Sequence, residues 1–173
     1  MTPRVDAWMR QANSDWAVAE LTAKQGFHSQ ACYHYGQAAE KALKALLISL
    51  GSLPPYSHAL ERLVDSLESA GLDAQPLREL RLKALSRMNS ETRYPSDSEA
   101  PADRFDEQDS EEARSVAEHV LAFAKASLQL QARYLHDFEP ISSRYCTKSI
   151  KTQVPAGFLA SGRLEWRNGE HGS

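Results

Sequence analysis

Cysteine is scarce. Cys32 and Cys146 are the only two in 173 residues, so no disulfide framework holds the chain and its core must come from apolar packing. No apolar run approaches the roughly 18 residues of a membrane span, and the N-terminus lacks the charged-then-apolar build of a secretory signal. A soluble, cytoplasmic protein is expected. No run of alternating β-branched residues suggests a sheet, and no long period repeats. Neither Gly-x-Gly-x-x-Gly nor Gly-x(4)-Gly-Lys-Ser/Thr occurs, which removes the known phosphate-cradling loops. His28 and Cys32 stand four apart, but no second Cys-His pair or carboxylate completes a familiar chelate, so neither a metal nor a cofactor is expected.

What is present is ordinary globular composition, 42% hydrophobic and 25% charged, in a chain long enough for one domain and an appendage. The formal charge of −3 is unevenly spread. Residues 89–112 carry nine acids against Arg93 and Arg104, a local −7 that leaves +4 for the other 149 residues. A basic patch facing a phosphate-rich partner is thereby permitted.

Periodicity predicts helices throughout. Val5, Trp8, Met9, Ala12, Trp16, Ala19 and Ala23 step by three and four residues, with Thr2 as a cap, Pro3 at the first helical position and Gly26 as the stop. Trp8 and Trp16 belong to that apolar stripe and read as core. A second helix, capped by Ser29 and ended by Gly51, buries Ala31, Cys32, Tyr35, Ala38, Ala39, Ala42, Leu43, Leu46, Leu47 and Leu50. After Pro54 and Pro55, Ser57 caps a short third helix through Leu60, Leu63, Val64 and Leu67, closed by Gly71. Pro76 opens a fourth with Leu77, Leu80, Ala84, Leu85 and Met88 inward and Arg78, Arg81, Lys83 and Arg87 outward.

Residues 89–108 show no period and read as a long loop. Asp109 and Glu112 match a capping box for a fifth helix running to about His136. The fold class that follows is all-α, an antiparallel up-and-down bundle of four to five helices over residues 1–138, followed by a polar, poorly ordered tail over 139–173.

On the second helix His34, Gln37, Lys41 and Lys44 form one stripe. Its lysines could meet phosphate oxygens and its amide and imidazole could add hydrogen bonds; the alternative is a solvated face with Glu40 and Lys44 as an i,i+4 pair. Gly36 in mid-helix suggests close approach by another backbone, for which a dimer interface is one candidate. His58, next to the cap, reads as structural.

The run Ala31-Cys32-Tyr33-His34…Gln37-Ala38-Ala39-Glu40-Lys41-Ala42-Leu43-Lys44-Ala45-Leu46-Leu47 resembles the signature helix of the HEPN domain family. Trp16 and Ala19, Gly26-Phe27, Ser57-His58-Ala59-Leu60 and Thr92-Arg93-Tyr94-Pro95 accompany it in the same order, so the resemblance covers about residues 5–130. It implies a helical bundle that pairs into a homodimer and acts with a minimal nucleotidyltransferase partner in toxin-antitoxin or defence modules. Nucleotide or RNA binding is implied as well.

Other family members are metal-independent ribonucleases using Arg-x(4–6)-His across the dimer. Arg114-Ser115-Val116-Ala117-Glu118-His119 fits that spacing; in that reading His119 exchanges protons and Arg114 stabilises phosphorane charge. Residues five apart on a helix diverge by about 140°, and Val120-Leu121 follow where active members carry a polar residue. Thr92-Arg93-Tyr94-Pro95 occupies the usual place of the active motif but is followed by no histidine until His119. There Arg93 would clamp a phosphate and Tyr94 would stack on a base; alternatively Tyr94-Pro95 anchors a loop and Arg93 pairs with a nearby acid.

Overall fold

The computed structural model describes residues 2–96 and 98–142. They form seven helices: α1 (Pro3–Lys24), α2 (His28–Ser49), α3 (Leu60–Ser69), α4 (Gln75–Arg78), α5 (Leu82–Glu91), α6 (Pro101–Arg104) and α7 (Glu107–Ser142). α2 lies at the centre, with α1, α3, α5 and α7 all packed on it. Lys41 meets Asp15, and Tyr35 meets Glu20, so α1 and α2 are antiparallel. Arg93 lies on Tyr33 and Asn89 beside Gly36, which sets α5 antiparallel to α2. His28 reaches Ser110, so α7 starts beside the start of α2 and runs parallel to it. The four principal helices α1, α2, α5 and α7 thus alternate in direction along the chain, as an up-and-down bundle requires.

Three helix ends follow from glycine. Gly26, Gly51 and Gly71 have φ of 78°, 75° and 90°, a region that costs a residue with a Cβ about 1–2 kcal/mol. At each, the following residue's N–H reaches five residues back: Phe27 to Thr22, Ser52 to Leu47 and Leu72 to Leu67, at 2.9–3.0 Å. This closes the orphan carbonyls of the last turn. Thr2 caps α1 as expected, its Oγ1 accepting from Val5 N at 3.4 Å.

The other caps differ from expectation. α2 begins after Phe27, with no side-chain cap; Ser29 lies inside its first turn and donates to Gln30 Oε1 at 2.7 Å. Ser57 closes only a local turn on Ala59 N, while Leu60 N donates to Ser86 Oγ of α5 at 2.9 Å. The cap of α3 is therefore a tertiary contact. At α7 the capping box lies three residues earlier than expected: Asp106 and Asp109 exchange bonds, each N–H donating to the other carboxylate at 3.1 Å.

The expected fourth helix is split into α4 and α5. On a straight helix Leu77 and Leu82 would point about 140° apart, yet both are buried. Interrupting the helix at 79–81 lets both side chains enter the core. The expected loop is also shorter: α5 continues to Glu91 with Asn89 and Thr92 buried, Ser96 and Glu99 pair through two backbone bonds, and Pro101 opens α6. Phe105, buried to 8% exposure, fastens this segment to the core. α7 continues to Ser142, past His136 and the boundary read at 138; residues 143–173 of the expected tail lie outside the described residues.

Gly36 packs within the chain. A Cβ there would lie 2.9 Å from Asn89 Oδ1 and 3.6 Å from the Leu85 carbonyl, so its missing side chain admits α5, and not a second subunit as the dimer-interface reading had it.

Candidate functional site

The close approach of α5 to α2 at Gly36 opens a cleft beside it. It has a volume of about 350 Å³ and is bounded by Tyr33 and Gln37 of α2, His58 and Ala59 ahead of α3, Glu61 of α3, and Lys83, Ser86, Arg87, Asn89, Ser90 and Arg93 on or just after α5. Asn89 is its organiser. Its Oδ1 accepts from Gln37 Nε2 at 3.2 Å, its Nδ2 donates to the His58 carbonyl at 3.5 Å, and its own carbonyl accepts from Arg93 Nε at 2.8 Å.

Arg93 makes no ion pair among the described residues, despite the acids around it in sequence. Its guanidinium carbon lies 5.5 Å from the Tyr33 ring centroid and 5.2 Å from that of Tyr94, within range of a cation–π contact. Tyr94 is 63% exposed. Lys83 and Arg87 are exposed on the same side, and among the described residues neither makes an ion pair. Among the described residues the single carboxylate lining the cleft, Glu61, accepts from Ser86 Oγ at 2.7 Å. Three cations and one engaged acid therefore give the cleft a positive field.

The stripe on α2 is placed differently. Lys41 Nζ lies 2.7 Å from Asp15 Oδ2 and donates to Gln37 Oε1 at 2.9 Å. Lys44 Nζ lies 2.8 Å from Glu40 Oε1, with the Trp8 ring centroid 6.0 Å away. His34 Nδ1 is 3.6 Å from Asp15 Oδ1, too far for a hydrogen bond. Only Gln37 of this stripe lines the cleft; Lys41 and Lys44 are neutralised by carboxylates in and beside the α1–α2 seam.

Arg114 and His119 do not converge within the chain. Arg114 Nε lies 2.7 Å from Glu20 Oε1, and the same oxygen accepts from the Tyr35 hydroxyl at 2.8 Å. Burial pushes the Glu20 carboxyl up, but the Tyr35 and Arg114 bonds outweigh it and hold the group below its ordinary range. Glu20, with Glu111 next, raises Arg114, and burial followed by Glu20 raises Tyr35. This is a junction of α1, α2 and α7. His119 is exposed on the far side of α7, its ring Nδ1 2.7 Å from the Ser115 carbonyl of its own helix.

Asp15, Asn89 and Tyr33 are site and seam residues to which motif reasoning gave no role, and Glu40 it paired only with Lys44. Two carried a signal: Asp15 sits on the apolar stripe of α1 between Ala12 and Ala19, and Glu40 lies among Ala38, Ala39, Ala42 and Leu43. A carboxylate on a buried face requires a cation opposite. Asn89 carried none, because its partners come from other segments.

The architecture is that of a small all-α bundle domain with a cation-lined cleft, and among the described residues no group of three His, Cys, Asp or Glu side chains could hold a metal ion. The chain belongs to the HEPN domain family, which it matches over residues 5–127. It is similar to the crystal structure of TT1696 from Thermus thermophilus, at 28% identity and a TM-score of 0.66, over 72% of this chain and 98% of that one. It shares the fold of ST0689, an archaeal HEPN homologue, at 23% identity and a TM-score of 0.55, over 73% of this chain and 98% of the other. No protein of curated function matches it. Among the described residues no helix is long and apolar enough to cross a membrane.

Proposed function

We propose that this HEPN protein is a binding module for nucleotide or RNA phosphate, working with a minimal nucleotidyltransferase partner in a toxin-antitoxin or defence setting. The observation that carries the reading is the cleft itself, where, among the described residues, Lys83, Arg87 and Arg93 stand without carboxylate partners and Arg93 lies between half-buried Tyr33 and exposed Tyr94. Unpaired cations fit phosphate oxygens, and an arginine flanked by tyrosines offers a flat surface on which a base can stack. Its size is at the lower end of small-ligand pockets, about 300–1,000 Å³. The binding set so read keeps Arg93, Tyr94 and Gln37 and adds Lys83 and Arg87, while Lys41 and Lys44 serve the fold. Exposed Val18 and Leu21 on α1 and Leu130 on α7 support pairing of two copies through the long helices.

Titration calorimetry with ATP and with hexauridylate tests the site. Arg93→Ala and Arg87→Ala should each weaken binding by about tenfold, the value of one charge-assisted hydrogen bond. If affinity is absent in the wild type, or unchanged in both variants, the phosphate site is wrong. Co-expression with a minimal nucleotidyltransferase, followed by size-exclusion chromatography, tests the partnership.

A further inference from the structure

His58 stands between the cleft and a buried carboxylate. Its Nδ1 lies 3.1 Å from both oxygens of Glu40, whose side chain is 5% exposed while that of His58 is 78% exposed. Its backbone is held too, through the bond from Asn89 Nδ2 to its carbonyl. One ring nitrogen is thus committed to the protein, and the other edge of the ring is open to solvent at the rim of the cleft.

An ionised carboxylate only accepts hydrogen bonds, so the nitrogen facing Glu40 carries a proton. In the neutral ring the outer Nε2 is then a bare lone pair, which repels a phosphate oxygen. In the imidazolium both nitrogens are donors, and Nε2 joins the cations of the cleft. The charged groups around the ring are Glu40 and Lys44 from α2, Glu61 from α3, and Lys83, Arg87 and Arg93 from the α5 side. Both carboxylates are already engaged, Glu40 by Lys44 and Glu61 by Ser86. A bound phosphate sets its negative charge against the α5 cations and against the ring, and so favours the protonated ring. That is the coupling between ligand and proton.

Resting on the reading of the cleft as a phosphate site, we propose that His58 is a proton-linked ligand in it. Glu40 fixes the tautomer, so a phosphate that engages His58 binds together with one proton taken up at Nε2. Capture is then strongest in mildly acidic solution and weakens as the ring deprotonates.

Hexauridylate is the probe, because its diesters and uracils keep their charge where an imidazole titrates. At fixed ionic strength the wild-type chain should bind it about tenfold more tightly at about pH 6 than at about pH 8. Calorimetry near neutral pH, in two buffers of different ionisation enthalpy, should read net proton uptake on binding. His58→Gln, at an exposed position that leaves the core untouched, should abolish the uptake and flatten the pH profile, with residual affinity from Lys83, Arg87 and Arg93. His28→Gln, outside the cleft, should keep both. A flat wild-type profile with measurable affinity, or uptake that persists in His58→Gln, overturns the proton link and leaves the phosphate site standing. No binding by the wild type at either pH overturns both.

Discussion

Lys41→Met separates a structural lysine from a ligand-binding one. Lys41 Nζ is 2.7 Å from Asp15 Oδ2, and the two side chains are 20% and 11% exposed. Removing the cation leaves the Asp15 carboxylate in the α1–α2 seam beside the His34 ring, 3.6 Å away and not hydrogen-bonded. Breaking a fully buried pair from one side costs about 3–5 kcal/mol. Partial exposure lets water reach this one, so the lower end, about 3 kcal/mol, applies. Methionine keeps the aliphatic stem, so little packing is lost. For a domain of this size that free energy lowers Tm by about 10 °C, read by circular dichroism during heating. Affinity for hexauridylate should stay as in the wild type, because Lys41 does not line the cleft. Asp15→Asn combined with Lys41→Met should recover much of the loss, since the cost lies in the unpaired charge. An unchanged Tm together with tenfold weaker binding would refute the reasoning and return Lys41 to the ligand.

Three further outcomes follow from other parts of the structure. Glu20 titrates below its ordinary 4.5 in the fold, so its contribution to stability is complete above that value and is lost as pH falls through the lower folded one; Arg114→Met should flatten this acid limb in urea titrations, and an unchanged limb would contradict the junction. Gly51→Ala, at φ 75°, should cost about 1–2 kcal/mol in urea denaturation, where an α-helical interior site would gain. Burial, with Asp109 next, pushes the Cys32 thiol up to about 12, so in a Cys146→Ser background it should react with a disulfide reagent only when denaturant unfolds the chain; rapid labelling of the native protein would contradict the burial of this thiol.

The helices were legible where the signal is local. The apolar steps of α1 and α2 and the three stops at Gly26, Gly51 and Gly71 are properties of neighbouring residues, and the structure keeps them. The signature helix also pointed to the family by its residues alone. The break at 79–81 was not legible, because the choice between one helix and two depends on burying Leu77 and Leu82 together. The cap of α3 was misassigned for the same reason: Ser86 is 26 residues from Leu60.

The candidate site divides along the same line. Sequence marked Arg93 and Tyr94 as candidate chemistry, and Arg93 lines the cleft with Tyr94 beside it, but it also offered Lys41 and Lys44 of the α2 stripe as phosphate contacts. Which lysine is free depends on what stands opposite. Asp15 of α1 occupies Lys41, and Glu40, one turn away on α2 itself, occupies Lys44, whereas Lys83 and Arg87 face open solvent. Local sequence determined the helices, their ends and the family, because backbone dihedrals and helical period are set within a few residues. The pairing of Asp15 with Lys41, the close approach at Gly36 and the setting of His58 were decided only by tertiary structure, because each brings together groups from separate segments of the chain.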